Sequence, residues 1–547
     1  MRPTKRFTPR RAAVRFVGRC QTRFRVGGCH TRSERGFTVS MRARCASITS
    51  RHDTVPADIR RTNSWAGKWH RSVIAAHPEI DDWVLRSVGR KYGDRDVMTY
   101  ERVRAAHLHA VQAAMEDHIA RLDWQRERID RYRDQRLRML LGFARERSPF
   151  HARRLADLDT ARPTVADLAA VPIMTKAEAQ DCWDEIVTDS ELSRARVERI
   201  LAQQEWYSYT RDDYQVFSSG GSSGVRGVYV WGWQFFVSVA CLAWRTQARA
   251  ERREPALGAT RLAVLEAGAP PHASTPLFDV PTAAGMETVV IAAGAPFDEV
   301  LTAVAAARPT HLVGYPSVIG RLARAALARE FDCRPVRVST NSEPLLDEDR
   351  QAIADAWRAP VHNLWGSTEI GVQAVGCALG EGLHICEDEV VLERVDENGV
   401  PVAPDEPAAR TLATGLANCT FPFIRYDLGD EVTLLPGPCE CGSSFARVAD
   451  IGGRRDDDFR YGAITVPAIT FRHVLGTDPR VSEYQVMQTP TGADILTVGH
   501  PDVDTLTTSV VAALRRCGVP DPTVDIRAVD RIPRNKATGK LKRFIAL

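Results

Sequence analysis

No stretch of this chain approaches the ~20 continuous apolar residues that a membrane-spanning helix needs. The N-terminal segment also lacks the apolar centre of a secretory signal. Cysteine is sparse for the length: twelve in 547 residues, three of them within the first 50. That density does not build a disulfide framework, and a reducing, cytoplasmic setting is expected. Excess positive charge is absent from the body of the chain. The net charge is +4, but residues 1–50 hold 13 Lys/Arg against Glu34 alone, a balance of +12, which leaves the remainder at −8. The sequence therefore makes no case for a nucleic-acid partner or for a membrane.

What is present is ordinary for a soluble globular protein, with 44% hydrophobic and 26% charged residues. A chain of 547 residues is too long for one core and implies two or more domains. The basic segment over residues 1–60 reads as a transit peptide, a basic tail, or sequence translated in error upstream of Met41; in each case disorder is expected before about residue 60. Residues 60–150 read as helical, anchored by Trp65, Trp69, Trp83 and Trp124. Leu122, Ile129, Leu137, Leu140 and Leu141 lie among arginines, the pattern of helices that pack one face and solvate the other. Ser148-Pro149-Phe150 breaks that run.

From Arg261 strands and helices alternate. Arg261–Glu266, Thr288–Ala292, His311–Tyr315 and Val336–Thr340 read as strands, with helices over 298–307, 316–329 and 347–357. This spacing means an α/β layer fold with mostly parallel sheets. Ligands in such folds collect at the carboxyl ends of strands, where Tyr315, Glu343 and the 363–369 loop fall. From about residue 385 the pattern turns β-rich, and the last 90 residues read as a small α+β unit.

Between two aromatic and β-branched runs lies Phe217-Ser218-Ser219-Gly220-Gly221-Ser222-Ser223-Gly224-Val225-Arg226-Gly227. Glycines let backbone N–H groups approach an oxyanion, and serine hydroxyls add donors. The Gly-Lys-Ser/Thr ending of a Walker loop is missing, so alone the stretch is a surface turn with an anion-binding option. Four further stretches follow in order: Trp365-Gly366-Ser367-Thr368-Glu369, Phe423 to Asp430, Gly452-Gly453-Arg454-Arg455-Asp456-Asp457, and Pro533 to Arg543 with Gly539-Lys540 inside it. Together they resemble the adenylate-forming superfamily of acyl-CoA synthetases and adenylation domains. Ser148-Pro149-Phe150, Ser342-Glu343-Pro344-Leu345 and Cys439-Glu440-Cys441-Gly442 suit its phenylacetate–CoA ligase branch. The likeness runs from about residue 137 to the C-terminus.

The resemblance implies a large N-terminal domain (61–455) with mixed and parallel sheets and a β-rich subdomain, then a small mobile α+β domain (456–547). It implies ATP-dependent conversion of a carboxylic acid to acyl-AMP, then transfer to a thiol, either coenzyme A or the phosphopantetheine of a carrier protein. Ser219, Gly221, Ser222, Ser223 and Gly224 would hold the β- and γ-phosphates. Arg226-Gly227 stands where many members have Pro-Lys, so Arg226 either adds positive charge or faces solvent. Trp365 would stack on adenine, Thr368 bond the α-phosphate, Glu369 hold Mg²⁺, Glu343 and Pro344 line the adenine and acyl pockets, and Asp430 bind ribose. Arg425 would support this site by ion pairing. Arg454 would contact ribose, Asp456 act as hinge, and Lys540 stabilise the transferring phosphate, with Lys536 as competitor. His272, Tyr315 and Gly366 would border the acyl pocket, and an aryl or arylacetic acid is expected. A homodimer stays open, as does a catalytically silent scaffold, against which Glu369, Asp430 and Lys540 argue.

The cysteines form a separate set. Cys377, His384, Cys439 and Cys441 would make a closed Cys₃His site, hence structural zinc. Cys386 is an alternative ligand, and buried unligated thiols are the alternative to any metal.

Overall fold

The computed structural model describes residues 100–547 apart from 205–206, 208, 211–212, 220–225, 254–259, 268–269, 279–285, 378–380, 455–456, 477, 479 and 536–539. The chain divides into two units, Met1–Arg90 and Lys91–Leu547. The basic extension and the anchors Trp65, Trp69 and Trp83 lie outside the described residues. No helix among the described residues is long and apolar enough to cross a membrane.

Helices α1 (Tyr100–Arg121) and α2 (Arg126–Arg147) occupy the described part of the region 60–150 that was expected to be helical. The apolar residues singled out there, Leu122, Ile129, Leu137, Leu140 and Leu141, are all buried. Ser148 ends α2 and caps the next short helix: its hydroxyl accepts from His151 N, and Pro149 takes the first helical position, where no N–H partner is required.

The centre is a nine-stranded sheet. Its parallel part comprises β3 (Arg261–Glu266), β4 (Glu287–Ala292), β5 (His311–Gly314), β6 (Arg337–Asn341) and β7 (Val361–Ser367), in the order β4-β3-β5-β6-β7. The near-continuous burial of β3 and β5 is what a strand covered on both faces requires. Beyond β7 the sheet turns antiparallel through β8 (Gly371–Gly376), β9 (Leu383–Ile385) and two short strands near residues 434 and 447. It is therefore mixed. The glycine-rich stretch joins a hairpin, β1 (Gln215–Ser219) to β2 (Gly227–Trp231). Helices α3 (Pro316–Leu327) and α4 (Asp347–Trp357) follow β5 and β6. A Cβ on Gly314 would lie 2.2 Å from the Leu265 carbonyl, so β5 can close on β3 only with glycine there. Residues 459–547 build their own four-stranded sheet and a separate apolar core around Phe459, Val486 and Phe544.

The helical region is tied to the sheets by buried charge. Arg245 donates to both oxygens of Asp388, at 2.6 and 3.0 Å, while Arg121 reaches Glu389 at 2.9 Å. All four are almost fully buried. Burial would raise the Asp388 pKa, but Arg245 and Arg121 outweigh it and hold the carboxyl below its ordinary value. Its stabilising contribution is thus present above the unfolded-state pKa and is lost as pH falls through the lower folded one. Asp388→Ala strands the buried Arg245 guanidinium and should cost about 3–5 kcal/mol in urea unfolding. Asp130→Ala, which breaks an exposed pair with Arg126, should cost no more than about 0.5 kcal/mol.

Candidate active site

The carboxyl ends of the parallel strands open onto a cavity of about 410 Å³, within the range that holds a small ligand. Residues of all five motifs meet there. The end of β6 supplies Asn341, Glu343 and Pro344; the end of β7 and its loop supply Trp365, Gly366, Thr368 and Glu369. Asp430 and Arg454 form another wall, and Lys540 enters from the C-terminal unit. Ser219 and His272 complete the set of expected residues on the wall. Ser342, at the β6 turn, holds φ 67°, a left-handed backbone uncommon outside glycine and asparagine; it turns the chain so that Glu343 faces back to the cavity.

Asp430 organises one side. Its Oδ2 accepts from Trp365 Nε1 at 2.8 Å and its Oδ1 from Arg454 Nε at 2.9 Å. The Asp430 charge raises the Arg454 pKa further. Glu369 is held from behind: its Oε1 accepts from Tyr229 OH at 2.5 Å and from Tyr426 OH at 3.2 Å. Burial, then the Glu369 charge, raises both phenol pKa values, so both stay protonated donors. Trp231 Nε1 donates to the Thr368 carbonyl at 2.9 Å and fixes the start of this turn.

The C-terminal unit is clasped to the cavity mouth by polar contacts. Leu541 N donates to Glu343 Oε1 at 2.9 Å, Arg543 to Asp349 at 3.1 Å, and Arg534 to Ser317 at 2.9 Å. These bring Lys540 over the Tyr315 ring, its Nζ 5.4 Å from the centroid. Tyr315 itself does not reach the wall; it is fully buried beneath Lys540. Burial and then the Lys540 charge lower the His272 pKa to about 4, which leaves the ring neutral, and its Nε2 has no hydrogen-bond partner among the described residues.

Several expectations fall elsewhere. Gly221, Ser222, Ser223, Gly224, Asp456 and Lys536 lie outside the described residues. Arg226 faces solvent and pairs with Glu198 at 2.7 Å. Arg425 bonds Glu393 and the Val171 carbonyl, so it braces the β-rich region and stands apart from the cavity. Charged residues near the cavity were missed, among them Lys176 and Glu266. Lys176 lines the cavity and donates to Ser219 Oγ at 3.4 Å; Glu266, at the end of β3, is buried beside Lys540. The signal for Glu266 was an acidic residue closing an otherwise apolar strand. Lys176 had no local signal beyond the Thr175 helix cap before it.

Away from the cavity, the Cys377, Cys439 and Cys441 sulfurs and a His384 nitrogen all lie within 4.8 Å of one another. Cys377 and Cys439 are 3.5 Å apart, and Cys441 is 3.3 Å from His384 Nε2. The other ring nitrogen of His384 is 3.1 Å from the Phe445 carbonyl, which aims Nε2 at the cysteines. Cys386 is not in this group; it is buried against Arg245.

No family model matches the chain. Over 386 residues, 66% of this chain and 78% of the relative, it is 24% identical to a phenylacetate-coenzyme A ligase of Thermus thermophilus. Over 129 residues, 23% of this chain and 27% of the relative, it is 32% identical to protein CapK of Staphylococcus aureus. It shares its fold with 2-hydroxyisobutyryl-CoA ligase in the postadenylation state in complex with R3-HIB-AMP, at a TM-score of 0.61 and 17% identity over 78% of this chain and 91% of that one. The chain thus has the fold of an adenylate-forming ligase and resembles phenylacetate-coenzyme A ligase in sequence, with its ordered motifs gathered at one cavity.

Proposed function

We propose that the protein is an AMP-forming acid–thiol ligase. It joins a carboxylic acid to the α-phosphate of ATP, releases pyrophosphate, and passes the acyl group from AMP to the thiol of coenzyme A. One observation carries this reading: Lys540, from the C-terminal unit, shares a cavity with Glu369 and with the Trp365–Asp430–Arg454 group. The relatives named as coenzyme A ligases support the acceptor.

The chemistry is positioning and neutralisation of phosphate charge. Trp365 stacks on adenine, and its bond to Asp430 fixes the ring plane. Asp430 and Arg454 take the ribose. Thr368 donates to the α-phosphate, and Lys540 offsets the charge that develops there. Ser219, Gly221, Ser222, Ser223 and Gly224 cradle the β- and γ-phosphates, with Lys176 supplying the cation that Arg226 does not. Glu369 would hold Mg²⁺: a carboxylate suits a hard cation, and both tyrosines bond the same oxygen, Oε1. When bound, that ion neutralises phosphate charge. Trp231, Val239, Leu277, Phe278 and Val372 give one side of the cavity an apolar lining, which suits an aromatic acid of the phenylacetate kind, with His272 and Gly366 at its border. The unit from residue 456 turns about Asp456 to exchange adenylation for thioester formation.

The Cys377–His384–Cys439–Cys441 group would hold a structural zinc. Zn–S bonds of about 2.3 Å in a tetrahedron place ligand atoms about 3.8 Å apart, and the observed set is already within 4.8 Å. The metal would cross-link β9 to the turn around residue 440.

ATP–pyrophosphate exchange over a panel of acids headed by phenylacetate tests the activity; no exchange with any acid defeats it. Lys540→Ala should lower exchange by about 10²–10³-fold and spare thioester formation from preformed acyl adenylate; undiminished exchange removes Lys540 from its role. Elemental analysis of the purified protein should find one zinc per chain. Cys441→Ser should lose the metal and lower the melting temperature without abolishing exchange, whereas a metal-free wild type of full stability counts against the site.

A further inference from the structure

An ammonium brought out of water requires a facing negative charge. Lys540 has two carboxylates acting on it, Glu343 and Glu266. Glu343 is committed elsewhere: Oε1 accepts from Leu541 N at 2.9 Å and Oε2 from Ser317 N at 3.3 Å. Glu266 is not committed. It closes β3 with no exposed surface, and neither carboxylate oxygen has a hydrogen-bond partner among the described residues. Tyr315, Ser274 and Asn341 stand close enough to act on its charge, yet none meets it with hydrogen-bond geometry. A strand of Leu, Ala, Val and Leu that ends in an unpaired buried carboxylate is costly for the fold, and the cation acting on that carboxylate belongs to a different unit of the chain.

We propose that Glu266, with the Tyr315 ring, is the seat that receives Lys540 in the adenylating arrangement, and so is a positioning residue acting through that lysine. The inference rests on the ligase reading above and adds to it the reason that Lys540 stays charged and fixed inside the cavity. Glu266 supplies the countercharge and the ring face supplies a second attraction, at 5.4 Å from the ammonium. When the C-terminal unit turns away, the seat loses its cation and Glu266 takes up a proton; when Lys540 returns, that proton leaves. Each swing is thereby linked to one proton.

The local charges agree in sign. Burial pushes Glu266 up to about 7, with Lys540 pulling it down. Burial lowers Lys540, with Glu266 and Glu343 opposing and Arg454 assisting. Burial and the Glu266 and Glu343 charges keep the Tyr315 phenol protonated, and His272 is neutral. Below about pH 7 the seat is protonated and holds the lysine less well, so adenylation should fall as pH drops through that value.

Two measurements test this on the full chain. The first is competitive acetylation of lysines by acetic anhydride, read by peptide mass spectrometry as Lys540 relative to the exposed Lys542. Glu266→Gln should raise this ratio severalfold, Glu266→Asp should restore it toward wild type, and in the wild type the ratio should rise as pH falls through about 7. A ratio indifferent both to Glu266→Gln and to pH overturns the seat, and the wild-type pH series decides the matter if the variant fails to fold. The second compares half-reactions. Glu266→Gln should lower phenylacetate-dependent exchange by about 10²-fold, flatten its acid limb, and leave thioester formation from phenylacetyl adenylate unchanged. Equal loss in both half-reactions marks a merely structural role. If the wild type exchanges with no acid, the ligase reading fails while the acetylation ratio still decides the seat.

Discussion

A buried carboxylate must be paired, and Asp430 meets that demand with groups from two distant parts of the chain. One oxygen takes the indole N–H of Trp365 at the end of β7; the other takes Arg454, where the chain passes toward the C-terminal unit. The pair therefore does two things at once. It fixes the plane of the aromatic ring over the cavity, and it pins the start of the connecting segment to the sheet. Loss of that carboxylate would leave a guanidinium and an indole without their shared acceptor, and the wall that faces the proposed nucleotide would loosen together with the link to Lys540.

Much of the fold was legible because its signals are local. Short apolar runs such as Arg261–Glu266 and His311–Tyr315 read as covered strands, and they lie where expected, within a residue or two. The helical face was readable from Leu137, Leu140 and Leu141. The motifs were legible for the same reason, since Trp365, Thr368 and Glu369 occupy one turn and carry their spacing with them. Sequence did not reveal what tertiary contact creates. Glu369 depends on Tyr229 and Tyr426, 140 and 57 residues away. Sequence left Arg226 open between a phosphate-facing cation and a solvent-facing charge, and only its pairing with Glu198 selects the second; the lysine beside Ser219 comes from residue 176. Tyr315 was placed at the right strand end and one layer too shallow.

The cysteine group shows the intermediate case. Cys377 directly follows β8 and His384 lies within β9, while Cys439 and Cys441 sit on a turn that antiparallel pairing returns to the same edge. Composition alone could name the four residues, but only the register that sets Arg447 opposite His384 brings them within bonding range of one ion.

The clasp that holds the C-terminal unit has a kinetic meaning. The contacts described above are hydrogen bonds and an ion pair, Leu541 to Glu343, Arg543 to Asp349 and Arg534 to Ser317, while the apolar core of residues 459–547 is closed within itself. Separation of such a surface exposes groups that water solvates readily, so its barrier carries little hydrophobic cost. The exchange of arrangements proposed for this unit would then respond to ionic strength more than to temperature-dependent apolar hydration. Turnover limited by that motion would quicken with added salt, while a step limited by phosphate chemistry would not.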